Sequence, residues 1–362
     1  MRLRHLAFAL PCCWGCGAVP AFSAETILAP EDKPFRVEGE LEAPGKDDPE
    51  AAGAYDISGI ACLLRGSGKR RCLVVNDEGR KAQFVTIDDR SIEPKATLDL
   101  IGKEPDAATR GRLPTESHCP DGSKPKFKEF DGEGVAYAAP YFYVVGSHGC
   151  GRKSGKLKTS SLILARIPVD GDGKQAEAVE TTYRLGEVLA GAKTVGPSFL
   201  HGLNEANGLN VEGVAVVGDR LYAGLRAPSI GTQAFLVEAE VEALFAKGHE
   251  AYRGTSRTIP LKVGEGAGIR DLSALEDGRL LVLTGPAQEQ PGVTYTLFLF
   301  DPAKGGDPQP LGSLAKLEGS DSAGKAEAVT VIGRDRVLVF FDSLKNGAPR
   351  AYKVPAALTS GR

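Results

Sequence analysis

Acidic residues recur at comparable places along this chain. Glu133, Glu212, Asp271 and Glu327 each lead into a short apolar run, in the segments EGVA, EGVA, DLSA and EAVT. Ser58 holds the same place in a fifth copy, SGIA, and the five positions are 75, 79, 59 and 56 residues apart. Carboxylates gathered at one place repel each other, which raises their pKa values or favours a cation. Carboxylate oxygens suit calcium, so Glu133, Glu212, Asp271 and Glu327 are candidate metal ligands. An acid repeated in four of the five units also suits a structural task, accepting backbone N–H groups of the next unit. The repetition favours that task, and the two roles can coexist.

A second apolar run follows each copy: CLVVNDEG, FYVVGSHG, LYAGLRAP, LLVLTGPA and VLVFFDSL. The turns between the runs hold Gly, Asp, Pro or basic residues, as hairpins require. A hairpin returns the end of its second strand to the start of its first. Asp77, Glu78, His148, Arg226 and Asp342 should therefore surround the acids, with Arg270 beside Asp271. Either arginine can hold a phosphate or carboxylate by two hydrogen bonds, or pair with the acids. His148 is a candidate acid or base. His148, Glu212 and Arg226 are thus the catalytic candidates. Other patterns fail. VGEGAG at 263–268 opens no helix that could meet a phosphate. In DGDGK, Lys174 and Thr181 stand where a calcium loop needs acids. Ser147 and His148 are neighbours and make no nucleophile–base pair, and no serine-elbow motif is present.

Two weaker strand candidates follow each of the first four hairpins, and only RAYKV follows the fifth. The pattern predicts an all-β fold: one β-propeller of four-stranded blades. Five blades are counted, and a sixth hidden in a long connection is the alternative. The absent last strand is available in FRVEGELEA from Phe35, so an N-terminal strand should close the ring. Helix is scarce, with one candidate in EVEALFAKG. The long connections 101–130 and 186–210 should emerge beside the acids as a partial lid.

Arg2 and Arg4, an apolar stretch from Leu6 to Val19, and small residues up to Ala24 form the pattern of a secretory signal peptide over 1–24. The propeller then occupies 25–362. No later run is long and apolar enough to span a bilayer. Cleavage would remove Cys12, Cys13 and Cys16, leaving Cys62, Cys72, Cys119 and Cys150. An even count in an exported chain favours disulfides. Cys62 and Cys72 flank one turn and should pair, and Cys119 and Cys150 would then join two loops. A zinc site built from those loop cysteines with His118 and His148 is disfavoured, because adjacent His118 and Cys119 are awkward as joint ligands. The formal charge is −3, and losing Arg2 and Arg4 makes it −5. No basic excess points to nucleic acid.

The segments DISGIACL, CLVVNDEG, FDGEGVAY, YVVGSHG, LNVEGVAV and GIRDLSAL together closely resemble the bacterial domain-of-unknown-function family 3616, from about Tyr55 to Val354. More distantly, the EGVA hairpins resemble phytase-like esterase propellers. That wider likeness implies a propeller and hints at phosphoester or ester chemistry, without catalytic residues to carry over. Two functions are therefore expected of a periplasmic or secreted protein. One is binding of a small molecule or protein partner at an acidic channel rim. The other is calcium-assisted hydrolysis of a phosphoester or ester.

Overall fold

The computed structural model describes residues 26–41, 55–63, 68–114, 116–356 and 358. The expected signal peptide, 1–24, lies outside the described residues. Five small sheets form a five-bladed propeller. Blade one comprises Ile57–Cys62, Arg70–Asn76, Lys81–Asp88 and Ser91–Asp99, and blade two Gly132–Ala138, Tyr141–Gly146, Leu164–Pro168 and Glu180–Thr182. Blade three comprises Asn210–Val217, Arg220–Ile230, Gln233–Glu240 and Ser256–Lys262. Blade four comprises Ala267–Ala274, Leu280–Pro286, Thr296–Phe300 and Gln309–Leu314. Blade five has three regular strands, Lys325–Gly333, Arg336–Asp342 and Arg350–Lys353.

Within each blade the strands run antiparallel in chain order, and the repeated segment is the first strand. First strands pack on one another around the ring, blade five against blade one included. This close approach explains the glycine of EGVA. A Cβ on Gly59 would lie 2.9 Å from the backbone of Gly134. On Gly134 it would lie 2.9 Å from Val214 N, and on Gly213 2.9 Å from Leu272 N. The inner strands converge on the axis, and three of the seams leave no room for a side chain.

The N-terminal segment straps three blades from outside. Ile27–Leu28 runs parallel to Gln309–Leu314 of blade four. Pro30 bridges Tyr352, and Glu31 N donates to Ala351 O (2.8 Å), both on blade five. Arg36–Val37 then runs parallel to Ser91–Ile92 of blade one. The N-terminus thus closes the ring, but Pro30 and Glu31 line the edge of blade five. The segment from Phe35 continues to blade one instead. Pro30 and Pro34 lack the N–H that a regular outer strand would donate. The Glu31 carboxylate clasps the seam, pairing with Arg336 of blade five (2.7 and 2.9 Å) and Arg90 of blade one (2.6 Å).

Both expected disulfides are formed, Cys62–Cys72 across the first hairpin and Cys119–Cys150 between two loops. The expected helix in EVEALFAKG is a single turn, Val241–Leu244. A longer one, Arg184–Gly191, follows directly on the last strand of blade two, Glu180–Thr182. The buried Arg184 sets that geometry. Its guanidinium donates to the carbonyls of Leu244 (3.1 Å), Ala246 (2.5 Å), Gly248 (2.8 Å) and Glu250 (2.8 Å), pinning the helix to the insertion of blade three. No helix of the described residues is long and apolar enough to cross a membrane.

Candidate functional site

Each first strand carries a β-bulge at its rim end. Pairing skips one residue between Ile57 and Gly59, Gly132 and Gly134, Val211 and Gly213, Ile269 and Asp271, and Ala326 and Ala328. The bulged residues are therefore Ser58, Glu133, Glu212, Arg270 and Glu327. A bulge re-aims a side chain out of the alternating pleat, and Ser58, Glu133, Glu212 and Glu327 all line one pocket. In blade four the ring position belongs to Arg270, and Asp271 stands one step further along, in register with Gly59, Gly134 and Gly213. The signal was in the sequence: the apolar residues flanking each bulge align Ile269-Arg270-Asp271-Leu272 with Val211-Glu212-Gly213-Val214.

The shift changes the chemistry of the ring. Arg270 Nε lies 3.0 Å from Glu212 Oε2 and donates to Glu327 Oε2 at 2.8 Å, and its Nη2 pairs with Glu327 Oε1. Arg226 donates from Nη1 to Glu212 Oε1 (2.7 Å) and from Nε to Ala287 O (2.8 Å). Two carboxylates and two guanidiniums thus form a buried chain of alternating charge. Asp271 is fully buried and joins two blades, accepting from Leu272 N (2.8 Å) and from Val329 N of blade five (2.7 Å). Burial pushes its carboxyl well above the usual range in spite of these amides. Its contacts are those of an interblade acceptor. Glu133 is the ring acid with no hydrogen-bond or ion-pair partner among the described residues. Burial, followed by the charges of Glu212, Asp131 and Asp77, drives its carboxyl far upward.

The pocket at this rim has a volume of about 930 Å³. Toward the other ends of the first strands the axis narrows to a cavity of about 30 Å³, lined among others by Ala61, Val135, Leu272, Ala274 and Val331. On the side of blades one and five a second group of acids gathers. Asp56, Asp77 and Glu78 each present an oxygen within 4.8 Å of the others. Asp77 is raised to about 8 by burial first, then by Asp131, Asp56, Asp342 and Glu78. Asp56 is raised to about 7 by burial and by a hydrogen bond to the Asp342 carboxyl. Asp77 Oδ1 is buried without a hydrogen-bond partner among the described residues.

Of the expected site residues, Asp77, Glu78, Glu133, Glu212, Arg226, Glu327 and Asp342 share this pocket, whereas Arg270 and Asp271 lie behind its wall. His148 does not line it. Its ring is fully buried, Nδ1 meets Gly146 O at 2.7 Å, and burial lowers its pKa to about 4. It adopts a left-handed backbone conformation, φ 50°. Asp56 and Asp131 were missed because they precede the repeated segments in the chain. The loop 150–158 was missed because its place beside the pocket depends on the Cys119–Cys150 link. Ser147, in the pocket wall, donates its hydroxyl to Asp131. Lys158 pairs with Glu129 (2.5 Å) and Asp131 (3.4 Å).

Solved structures similar to this chain share little of its sequence. One is a luciferin-regenerating enzyme, 13% identical, covering 84% of this chain and 82% of its own, with a TM-score of 0.33. Another is a GH43 β-1,3-galactosidase, 11% identical, covering 86% of this chain and 59% of its own, with a TM-score of 0.40. A third is a gluconolactonase from Xanthomonas campestris, 11% identical, covering 92% and 99%, with a TM-score of 0.37. No curated protein matches the sequence. A match to the phytase-like esterases is not among these likenesses. Residues 118–170 and 158–353, spanning blades two to five, match the family described as Protein of unknown function (DUF3616), and the chain belongs to that family.

Proposed function

We propose that the protein is exported to the periplasm or beyond and binds a small ligand at the mouth of its channel, with a calcium ion held among Asp56, Asp77 and Glu78. One observation carries this reading: three carboxylate oxygens converge within 4.8 Å beside a pocket of small-molecule size. Hard oxygen donors of this kind suit calcium. When bound, the ion would offset the burial and, after it, the neighbouring carboxylates that raise Asp56 to about 7 and Asp77 to about 8. The four acids first expected to bind metal are less suited as a set. Glu212 and Glu327 are paired with arginines, and the oxygens of Asp271 accept two backbone amides.

Hydrolysis has weaker support. His148 stands outside the pocket, the Ser147 hydroxyl is committed to Asp131, and the Arg226 donors are largely engaged. The test is thermal unfolding in EDTA, then with calcium, magnesium and zinc. A ligand bound only by the folded state stabilises by mass action, about 2.7 kcal/mol at a hundredfold excess over Kd. Calcium should raise the midpoint in the wild type and in Glu212→Gln, but not in Asp77→Asn. No response to any cation would remove the calcium site. Turnover across a phosphoester and ester panel, lost in Asp77→Asn, would replace binding by hydrolysis.

A further inference from the structure

The polar lining of the pocket is sorted by sign in part, with Glu78 and Asp99 as its exposed acids. Its acids near the axis are withdrawn: Glu212 and Glu327 are buried, and Asp77, Asp131, Glu133 and Asp342 are half-buried. Its outer wall carries Lys81, Lys103, Lys128, Arg152 and Lys153, all exposed. Lys103, Arg152 and Lys153 form no ion pair with a described residue. Most of this wall belongs to a compact lobe, residues 118–129 and 150–160, which holds seven basic side chains and two acidic ones in a chain whose formal charge is −3. The lobe is built to keep its shape. Cys119–Cys150 joins its halves, Asp121 N donates to Gly155 O (2.9 Å), Lys126 N to Leu157 O (3.2 Å) and Lys128 N to Ser160 Oγ (3.0 Å).

We propose that the ligand is a small anion bearing at least two negative groups, held at the lip by Lys103, Arg152 and Lys153. This rests on the reading of the pocket as a ligand site and names the class of ligand. Exposed cations that form no ion pair with a described residue attract an anion at low cost, although Lys153 also feels the charge of Asp56, and the guanidinium of Arg152 can grip a phosphate or carboxylate by two parallel hydrogen bonds. The acids below keep the negative groups at the lip, while the rest of the molecule enters the cavity. The disulfide-held lobe spares the binding step the ordering of a loose loop. A volume of about 930 Å³ fits a small molecule better than a polymer crossing the surface.

The experiment is isothermal titration calorimetry on the mature protein, with tripolyphosphate and trigalacturonate as probes, at 0.1 M salt, with EDTA and with calcium. Binding of the first alone assigns a phosphoanion, and of the second alone a carboxylate. A Lys103→Glu/Arg152→Glu/Lys153→Glu variant should lose at least tenfold in affinity for whichever probe binds. Lys124→Glu/Lys126→Glu, on the same lobe but outside the pocket, should stay within threefold of wild type. The inference is overturned if neither probe binds the wild type, if the triple variant binds equally well, or if both variants lose equally, which would indicate diffuse attraction. A calcium-induced rise in melting temperature that survives in the triple variant shows it folded. Probe binding in EDTA without any calcium response would remove the ion and leave the lip intact.

Discussion

Arg270 offers the sharpest test of how the acidic ring is held together. Its side chain is 3% exposed and lies between Glu212 and Glu327, whose side chains are 5% and 10% exposed. Arg270→Met keeps much of the volume and removes the charge. Glu212 would retain Arg226, but Glu327 would lose the one ion-pair partner it has among the described residues. Removing one member of a buried pair costs about 3–5 kcal/mol, because the remaining charge stays desolvated. Urea unfolding at pH 7.5 should register a loss of that size. The loss should shrink on acidification. In the variant an ionised Glu327 stays buried without its partner, and protonation removes that charge, so the penalty is smaller in acid than at pH 7.5. The double variant Arg270→Met/Glu327→Leu should recover most of the stability at pH 7.5, since no buried charge is left alone. A loss below about 1 kcal/mol at pH 7.5, or one unchanged at pH 5, would refute the view that charge pairing governs this position.

The seams between first strands and the acids beside the pocket yield two further expectations. Gly213→Ala should destabilise by about 1–3 kcal/mol, because its Cβ would stand 2.9 Å from Leu272 N. Gly122→Ala, whose Cβ would meet nothing within 4 Å, should be close to neutral in the same melting assay. Without cations, the raised carboxyls of Asp56 and Asp77 make stability pH-dependent. Their contribution is full below the unfolded value of 3.8 and is lost as pH rises through about 7 and about 8. Melting temperature in EDTA should therefore fall between pH 5 and 9, and Asp77→Asn should flatten the decline. A flat wild-type profile would count against the clustering of these acids.

Much of the architecture was legible in the chain. The recurring hairpins gave five blades and placed the acids at one rim, because strand pairing is local and each blade is continuous in sequence. The weaker candidates after each hairpin matched the outer strands, and the spacing of Cys62 and Cys72 gave one disulfide and left the other pair by remainder. What failed depended on distance. The one-residue shift that puts Arg270 in the ring arises from a bulge, which a match on acidic residues overlooks. His148 follows the second strand toward the rim, yet it is fully buried and in a left-handed backbone conformation, which its place in the sequence does not reveal. The strap's true partners, the helix pinned by Arg184 and the basic lobe beside the pocket rest on contacts between segments far apart in the chain. The sequence by itself determined the blades and the side from which charge faces the axis. Only the tertiary structure decided which charges neutralise one another and which stay open to a ligand, because that depends on separations of a few ångströms between blades.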